Sequence, residues 1–123
     1  MKTHILITGA SRGIGAAIAA SFDPATTKWV ALSSQDGDLH DPAVPAQLWA
    51  KALESLDGRI DVLINNAGFG INKAFSASDI NAEQQMFDVL VRTPMRLMHT
   101  VIPGMKQRNS GTIINVSSVA SFI

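Results

Sequence analysis

Three glycines set between a short apolar run and an alanine-rich segment are the feature of this sequence with the most direct chemical consequence. The stretch reads Ile5-Leu6-Ile7-Thr8-Gly9-Ala10-Ser11-Arg12-Gly13-Ile14-Gly15. Its geometry suits a diphosphate. Gly9 lets the chain leave a strand in a tight turn, Gly13 removes a Cβ where a ligand approaches the backbone, and Gly15 allows close packing of helix on strand. A helix starting there aims its unpaired N–H groups and the positive end of its dipole at the anion. The spacing is Gly-x-x-x-Gly-x-Gly. It therefore differs from the Gly-x-Gly-x-x-Gly fingerprint, and no Gly-Lys-Ser/Thr follows as a P-loop needs. The plainer reading of the same glycines is simple turn chemistry.

The elements that must position this turn alternate between strand and helix, as in a parallel sheet covered by helices. The pattern predicts a first strand over Thr3 to Thr8 and a helix from Gly13 to Phe22, ended by Asp23-Pro24. Lys28 to Ser33 reads as a second strand, followed by a polar stretch too short for a full helix. Asp41-Pro42 makes a helix start, with Val44, Leu48, Trp49, Ala52, Leu53 and Leu56 at helical spacing and Gly58 as terminator. Ile60 to Asn65 is a continuous apolar run, as a strand buried on both faces requires. A long helix is predicted from Ala82 to Gln107, with Asn81 as N-cap, Gln84 three residues on, and a kink at Pro94. Its apolar positions are too many for one stripe: Met86, Phe87, Val89, Leu90, Val91, Met95, Leu97, Met98, Val101, Ile102 and Met105. Either a second subunit or a deep core accounts for the excess. Thr112 to Val116 closes the series as a last strand, running into Ser117-Ser118.

Bulk composition narrows the function classes. The 123 residues suffice for one domain with a real core, with 46% apolar and 16% charged residues and a formal net charge of +0. Balanced charge gives no support for nucleic acid or an anionic membrane surface as partner. There is no cysteine, which excludes disulfides, thiolate chemistry and cysteine-ligated zinc within these residues. The N-terminal apolar run is too short for a signal peptide or a membrane span, so a cytoplasmic location is the default expectation. His4, His40 and His99 have no mutual metal-ligand spacing and read as structural or solvated. There is also no tyrosine.

Each motif falls at the C-terminal end of a strand, where an open parallel sheet binds its ligand. The glycine turn follows the first strand, Asn65-Asn66-Ala67-Gly68 follows the buried one, and Ser117-Ser118 follows the last. In that order they resemble the short-chain dehydrogenase/reductase family, over almost the whole chain but only the N-terminal half of a family domain. The resemblance implies an α/β fold with a doubly wound, Rossmann-type parallel sheet and helices on both faces, cut off after the fifth family strand. It implies a single dinucleotide-binding domain over residues 1–123, incomplete at its C-terminus.

The same resemblance assigns roles. Gly9, Ser11, Arg12, Gly13, Ile14 and Gly15 would cradle the cofactor diphosphate and the adenosine side, and Asp38 with Leu39 would contact adenine. Asn65, Ala67 and Gly68 would line the ribose, and Ser118 would hydrogen-bond a substrate carbonyl or alcohol. Plainer readings stand beside these: Asn65-Asn66 as turn chemistry, Asp38 as a solvated carboxylate, and Ser117-Ser118 as a polar strand end. Ser33-Ser34-Gln35 replaces the carboxylate that would select NAD, and Arg12 offers a phosphate partner, so NADP(H) is favoured over NAD(H). The segment between the second and the buried strand is shorter than the family's, as if a helix and most of a strand were trimmed away.

Two departures qualify the expected activity. The family's proton donor is a tyrosine four residues before a lysine, beyond the Ser-Ser strand; here the sequence runs only five residues past Ser118. The family also carries an asparagine on the long helix, at the position held here by Leu90. The expectation is an oxidoreductase moving hydride between NAD(P)(H) and a carbonyl or alcohol, of which this chain is the cofactor-binding half and is inactive alone. The alternatives are a non-catalytic dinucleotide-binding module and an inactive truncated product. An exposed last strand and the wide apolar helix further predict a homo-oligomer or other self-association.

Overall fold

Alternation along the first strand decides which residues face which layer. The computed structural model describes residues 1–11, 13–32 and 44–117. In strand β1 (Thr3–Thr8) every residue from His4 onward is buried. Ile5 and Ile7 point to one face, where they meet Ile64, Ile18, Phe22 and Trp29. Leu6 points to the other, into a larger cluster with Leu63, Ala52, Leu56, Leu97, Val101 and Met105. A strand covered on both sides needs apolar residues of both parities, which is why the run is continuous.

The described sheet has four strands in the order β2-β1-β3-β4, with β2 at Thr27–Leu32, β3 at Val62–Asn65 and β4 at Thr112–Asn115. All pairings are parallel, running from Thr3↔Thr27 to Thr8↔Leu32, from Ile5↔Val62 to Ile7↔Ile64, and from Val62↔Thr112 to Asn65↔Asn115. Helix α1 (Gly13–Ala20) covers one face; α2 (Val44–Ser55) and the long helical segment cover the other. The chain goes from β1 outward to β2 and then returns to β3 on the opposite side. This reversal puts the crevice of a doubly wound sheet at the C-terminal ends of β1 and β3. The predicted architecture is therefore present.

Helix α2 ends over two left-handed residues, Asp57 (φ 56°) and Gly58 (φ 78°), with the Gly58 N–H donating to the Leu53 carbonyl at 2.8 Å. Its predicted start at Asp41-Pro42 lies outside the described residues. Lys28 on β2 reaches Asp57 at 3.0 Å, and this hydrogen bond, with the lysine charge, holds the Asp57 carboxyl below the usual carboxylate range.

The long helix differs from the prediction in three ways. Its first part, α3 (Ile80–Phe87), is capped by Asp79, whose carboxylate accepts from the Asn81 N–H at 2.7 Å. Asn81 is thus inside the helix and is not its cap. The charged Asp79 acceptor sits two residues earlier and satisfies an orphan donor directly. The disruption near Pro94 takes the form of a π-helical turn over Asp88–Arg92, with the Thr93 N–H donating to the Asp88 carbonyl. Pro94 has no N–H to give to the turn before it, and the wider turn absorbs that loss. Pro94 itself then sits in the first turn of α4 (Thr93–Arg108). Leu97, Val101 and Met105 form the buried stripe of α4, while Phe87, Leu90, Val91, Met95 and Ile102 remain exposed. The excess apolar residues are a second, outward surface.

At the opposite edge of the sheet, the N-terminal strand ends are clamped by polar contacts. The His4 N–H donates to Asp61 Oδ2 and the Asp61 N–H to the His4 carbonyl, both at 2.8 Å, while Arg59 donates to the Lys2 carbonyl at 2.8 Å. His4 is buried with Nδ1 against the Arg59 carbonyl at 3.1 Å, a structural role as the sequence predicts. His99 is exposed, and His40 lies outside the described residues.

Candidate functional site

The glycine turn and the Asn65–Gly68 segment interlock at the C-terminal strand ends. Thr8, the last residue of β1, is 2% exposed, and its hydroxyl oxygen accepts from the backbone N–H groups of Asn66 and Ala67, each at 3.1 Å. Asn66 completes the join by donating Nδ2–H to the Gly9 carbonyl at 3.0 Å. Gly9 itself turns at φ +70°, and a Cβ there would lie 2.6 Å from the Ala67 Cα. Gly15 is confined in the same way: a Cβ would collide with the Gly9 carbonyl oxygen and Asn66 Nδ2. The tight spacing of α1 against the strand ends therefore depends on hydrogen at both positions.

Gly13 is different. It adopts φ +61° at the start of α1, and among the described residues nothing lies within 4 Å of where its Cβ would be. Among the described residues, the space over the turn is open at the point where the N-terminus of α1 presents its backbone donors. Ser11 and Ile14 flank it, both exposed.

On the other side of the crevice, Asn65 Nδ2 donates to Asn115 Oδ1 at 2.9 Å, across the β3–β4 register. Its own Oδ1 is buried and, among the described residues, has no hydrogen-bond partner. The next residues bring in the long helix: a Cβ on Gly68 would lie 2.5 Å from Leu90 Cδ2. The Val116 N–H donates to the Asn65 carbonyl at 3.0 Å, so the chain leaves β4 at the same edge.

The structure thus brings together Gly9, Ser11, Gly13, Ile14, Gly15, Asn65, Ala67 and Gly68. Arg12, Ser33, Asp38, Leu39 and Ser118 lie outside the described residues. Sequence reasoning missed Thr8 and Asn66 as the residues joining the two segments. A hydroxyl ending an otherwise apolar strand was the available signal for Thr8. For Asn66 the signal was ambiguous, because an asparagine beside a turn has a local use as well. Among the described residues, no group of three His, Asp or Glu side chains is placed to hold a metal ion, and no helix is long and apolar enough to cross a membrane.

A family model described as short chain dehydrogenase matches residues 32–123. The chain belongs to the short-chain dehydrogenase family. This match covers most of the sequence, from the last residue of β2 through the Asn65–Gly68 segment to the β4 end and beyond. The ketoacyl reductase HetN of Nostoc sp. is 33% identical over 136 aligned positions, which cover 94% of this chain and 47% of that protein. The alignment is longer than the chain itself, so HetN carries extra residues within the matched stretch. Among solved structures, the bulky-bulky ketone specific alcohol dehydrogenase from Comamonas testosteroni superposes with a TM-score of 0.87 at 27% identity. That match covers 98% of this chain and 56% of the enzyme. L-Sorbose reductase from Gluconobacter frateurii, complexed with NADPH and L-sorbose, gives 0.83 at 26% identity over 98% of this chain and 54% of its own. The chain spans about half the length of the curated relatives it matches.

Proposed function

We propose that this chain is the cofactor-binding half of a short-chain dehydrogenase/reductase that moves hydride between NADP(H) and a carbonyl or alcohol. What supports the reading most is the join described above: an open approach to Gly13 held in place by Thr8, Asn66 and the close contacts of Gly9 and Gly15. A nicotinamide dinucleotide fits these residues. Its diphosphate matches the backbone donors at the start of α1, and its hydroxyl groups suit the buried, unpartnered Asn65 Oδ1. When bound, the nicotinamide supplies the hydride chemistry.

The protein's own residues hold and orient. Gly9, Ser11, Gly13, Ile14 and Gly15 carry the diphosphate, and Asn65, Ala67 and Gly68 carry the ribose. Arg12 and Ser33 take the 2′-phosphate that favours NADP(H), Asp38 and Leu39 the adenine, and Ser118 the substrate oxygen. The 123 residues contain no tyrosine, so the proton donor for the substrate oxygen comes from another group or from chain outside this sequence. The second reading, a non-catalytic dinucleotide-binding module, is favoured by that same composition and by Leu90. The expected result of a fluorescence titration is binding of NADPH, tighter than NADH, in the millimolar range or below. Failure of both to bind would remove the enzyme half and the binding module together.

A homo-oligomer or other self-association follows from two exposed apolar surfaces. One is the outer side of α4, where Met95 and Ile102 are exposed and a groove of about 600 Å³ is lined by His99, Pro103 and Lys106. The other is β4, the edge strand of the described sheet, with Ile114 46% exposed. Light scattering is expected to show mass rising with concentration; a constant monomer mass would contradict it.

A further inference from the structure

We infer that Leu90 is a positioning residue, which packs over Gly68 from the π-helical turn and holds the Asn65–Gly68 segment ready for the nicotinamide half of the dinucleotide. The inference rests on the dinucleotide-binding reading above. It begins from a close approach of the long helix to the crevice, where Leu90 Cδ2 lies 2.5 Å from the place of a Gly68 Cβ. Leu90 is 45% exposed, while its neighbours Asp88 and Val89 are buried. Asp88 is held by Gln84 Nε2 at 3.0 Å and by Arg92 at 3.3 Å, and Val89 sits in the larger core cluster. The inner side of the turn is therefore anchored, and the residue after Val89 lies on its exposed side, against Gly68. That residue is Leu90.

The segment it touches is tied unevenly. Asn66 and Ala67 are fastened to Thr8 and Gly9, whereas the chain from Gly68 to Gly70 is exposed. Among the described residues, Leu90 is the side chain that meets Gly68 at that boundary. A leucine neither donates nor accepts a hydrogen bond, so its effect on Gly68 is one of shape: it removes alternative positions of that peptide before any ligand arrives. The sheet order places Gly68 on the far side of the diphosphate turn from β2. A dinucleotide lying across the strand ends puts one nucleoside on each side of the turn, with adenosine on the β2 side. Leu90 accordingly acts on the nicotinamide half and leaves the adenosine half alone.

The test uses Leu90→Ala and Leu90→Met with NADPH and ADP as probes. Leu90→Ala is expected to weaken NADPH roughly tenfold, as loss of preorganisation would, and ADP less than about twofold. Leu90→Met restores NADPH binding. Gly68→Ala sets a methyl against the end of the Leu90 side chain, which must turn aside, and Leu90→Ala makes room for it, so the two substitutions are non-additive. Equal weakening of NADPH and ADP would mean a merely structural role and would overturn the inference, as would unchanged NADPH binding by Leu90→Ala. Amide hydrogen exchange at Gly68 and Phe69, faster in Leu90→Ala, decides the packing without a ligand. Unaltered exchange with additive substitutions would also overturn it. If the parent chain binds no NADPH while exchange responds as expected, the failure is that of the dinucleotide reading and not of the contact.

Discussion

Replacing Gly15 by alanine is expected to lower stability by about 3 kcal/mol and to abolish dinucleotide binding. The new Cβ would occupy the space of the Gly9 carbonyl oxygen and of Asn66 Nδ2. One of these atoms is backbone, so no side-chain rotation relieves the clash; α1 must move away from the strand ends. Overpacking of this kind costs about 1–3 kcal/mol, and loss of the bond from Asn66 to Gly9 adds about 1 kcal/mol. Gly13→Ala is the informative control. Its Cβ meets no described residue within 4 Å, so the expected cost to the fold is the left-handed strain that alanine introduces, about 1–2 kcal/mol. The added methyl nevertheless stands where the proposed dinucleotide would approach, and binding should fall well beyond what the stability change explains. Urea denaturation and NADPH titration of both variants measure this. A Gly15→Ala chain as stable as the parent would show that the join between α1 and the Asn65–Gly68 segment is not as described.

Thr8→Val is expected to be nearly as damaging, although it conserves shape. The substitution replaces an oxygen that accepts two backbone N–H groups, those of Asn66 and Ala67, at a residue 2% exposed to solvent. Both donors are left without their acceptor in a part-buried place, at about 1–3 kcal/mol for each. The expected loss is roughly 2–4 kcal/mol, since water reaches the half-buried Asn66 and Ala67 in part. Thr8→Ser keeps the oxygen and should recover most of it, losing only the methyl contacts. Chemical denaturation of the two variants separates hydroxyl from shape. A valine variant within about 0.5 kcal/mol of the parent would mean that the hydroxyl does not hold the two segments together.

How far the sequence could be read depended on whether a residue's role was local. The continuous apolar run from Ile60 to Asn65 announced a strand covered on both faces, because that burial leaves no polar parity. The buried side of α4, Leu97, Val101 and Met105, was hidden among the surplus of apolar positions on that helix and became visible only from its packing on the sheet. Asp79 and Asn81 are both cap-forming types, and the choice between them turned on which side chain reached the other's N–H. The disturbance at Pro94 was legible, but its form was not. A π turn over Asp88–Arg92 depends on Asp88 being held by Gln84 and Arg92 and on Val89 entering the core. The roles of Thr8 and Asn66 were hidden because they span 57–59 residues in sequence and exist only once β1 and β3 pair. Local patterns name the strands and the glycine turn; only the sheet register joins that turn to the Asn65–Gly68 segment.

The central claim is that the C-terminal edge of this sheet holds a nicotinamide dinucleotide. Amide chemical-shift mapping of the isotopically labelled chain during addition of NADPH tests it most directly. The account predicts saturable shifts at Gly9, Ser11, Gly13, Ile14, Gly15, Ala67 and Gly68, with Lys2, Arg59, Asp61 and Ser110 at the opposite edge unmoved. Shifts confined to that opposite edge, or none at saturating NADPH, would contradict it.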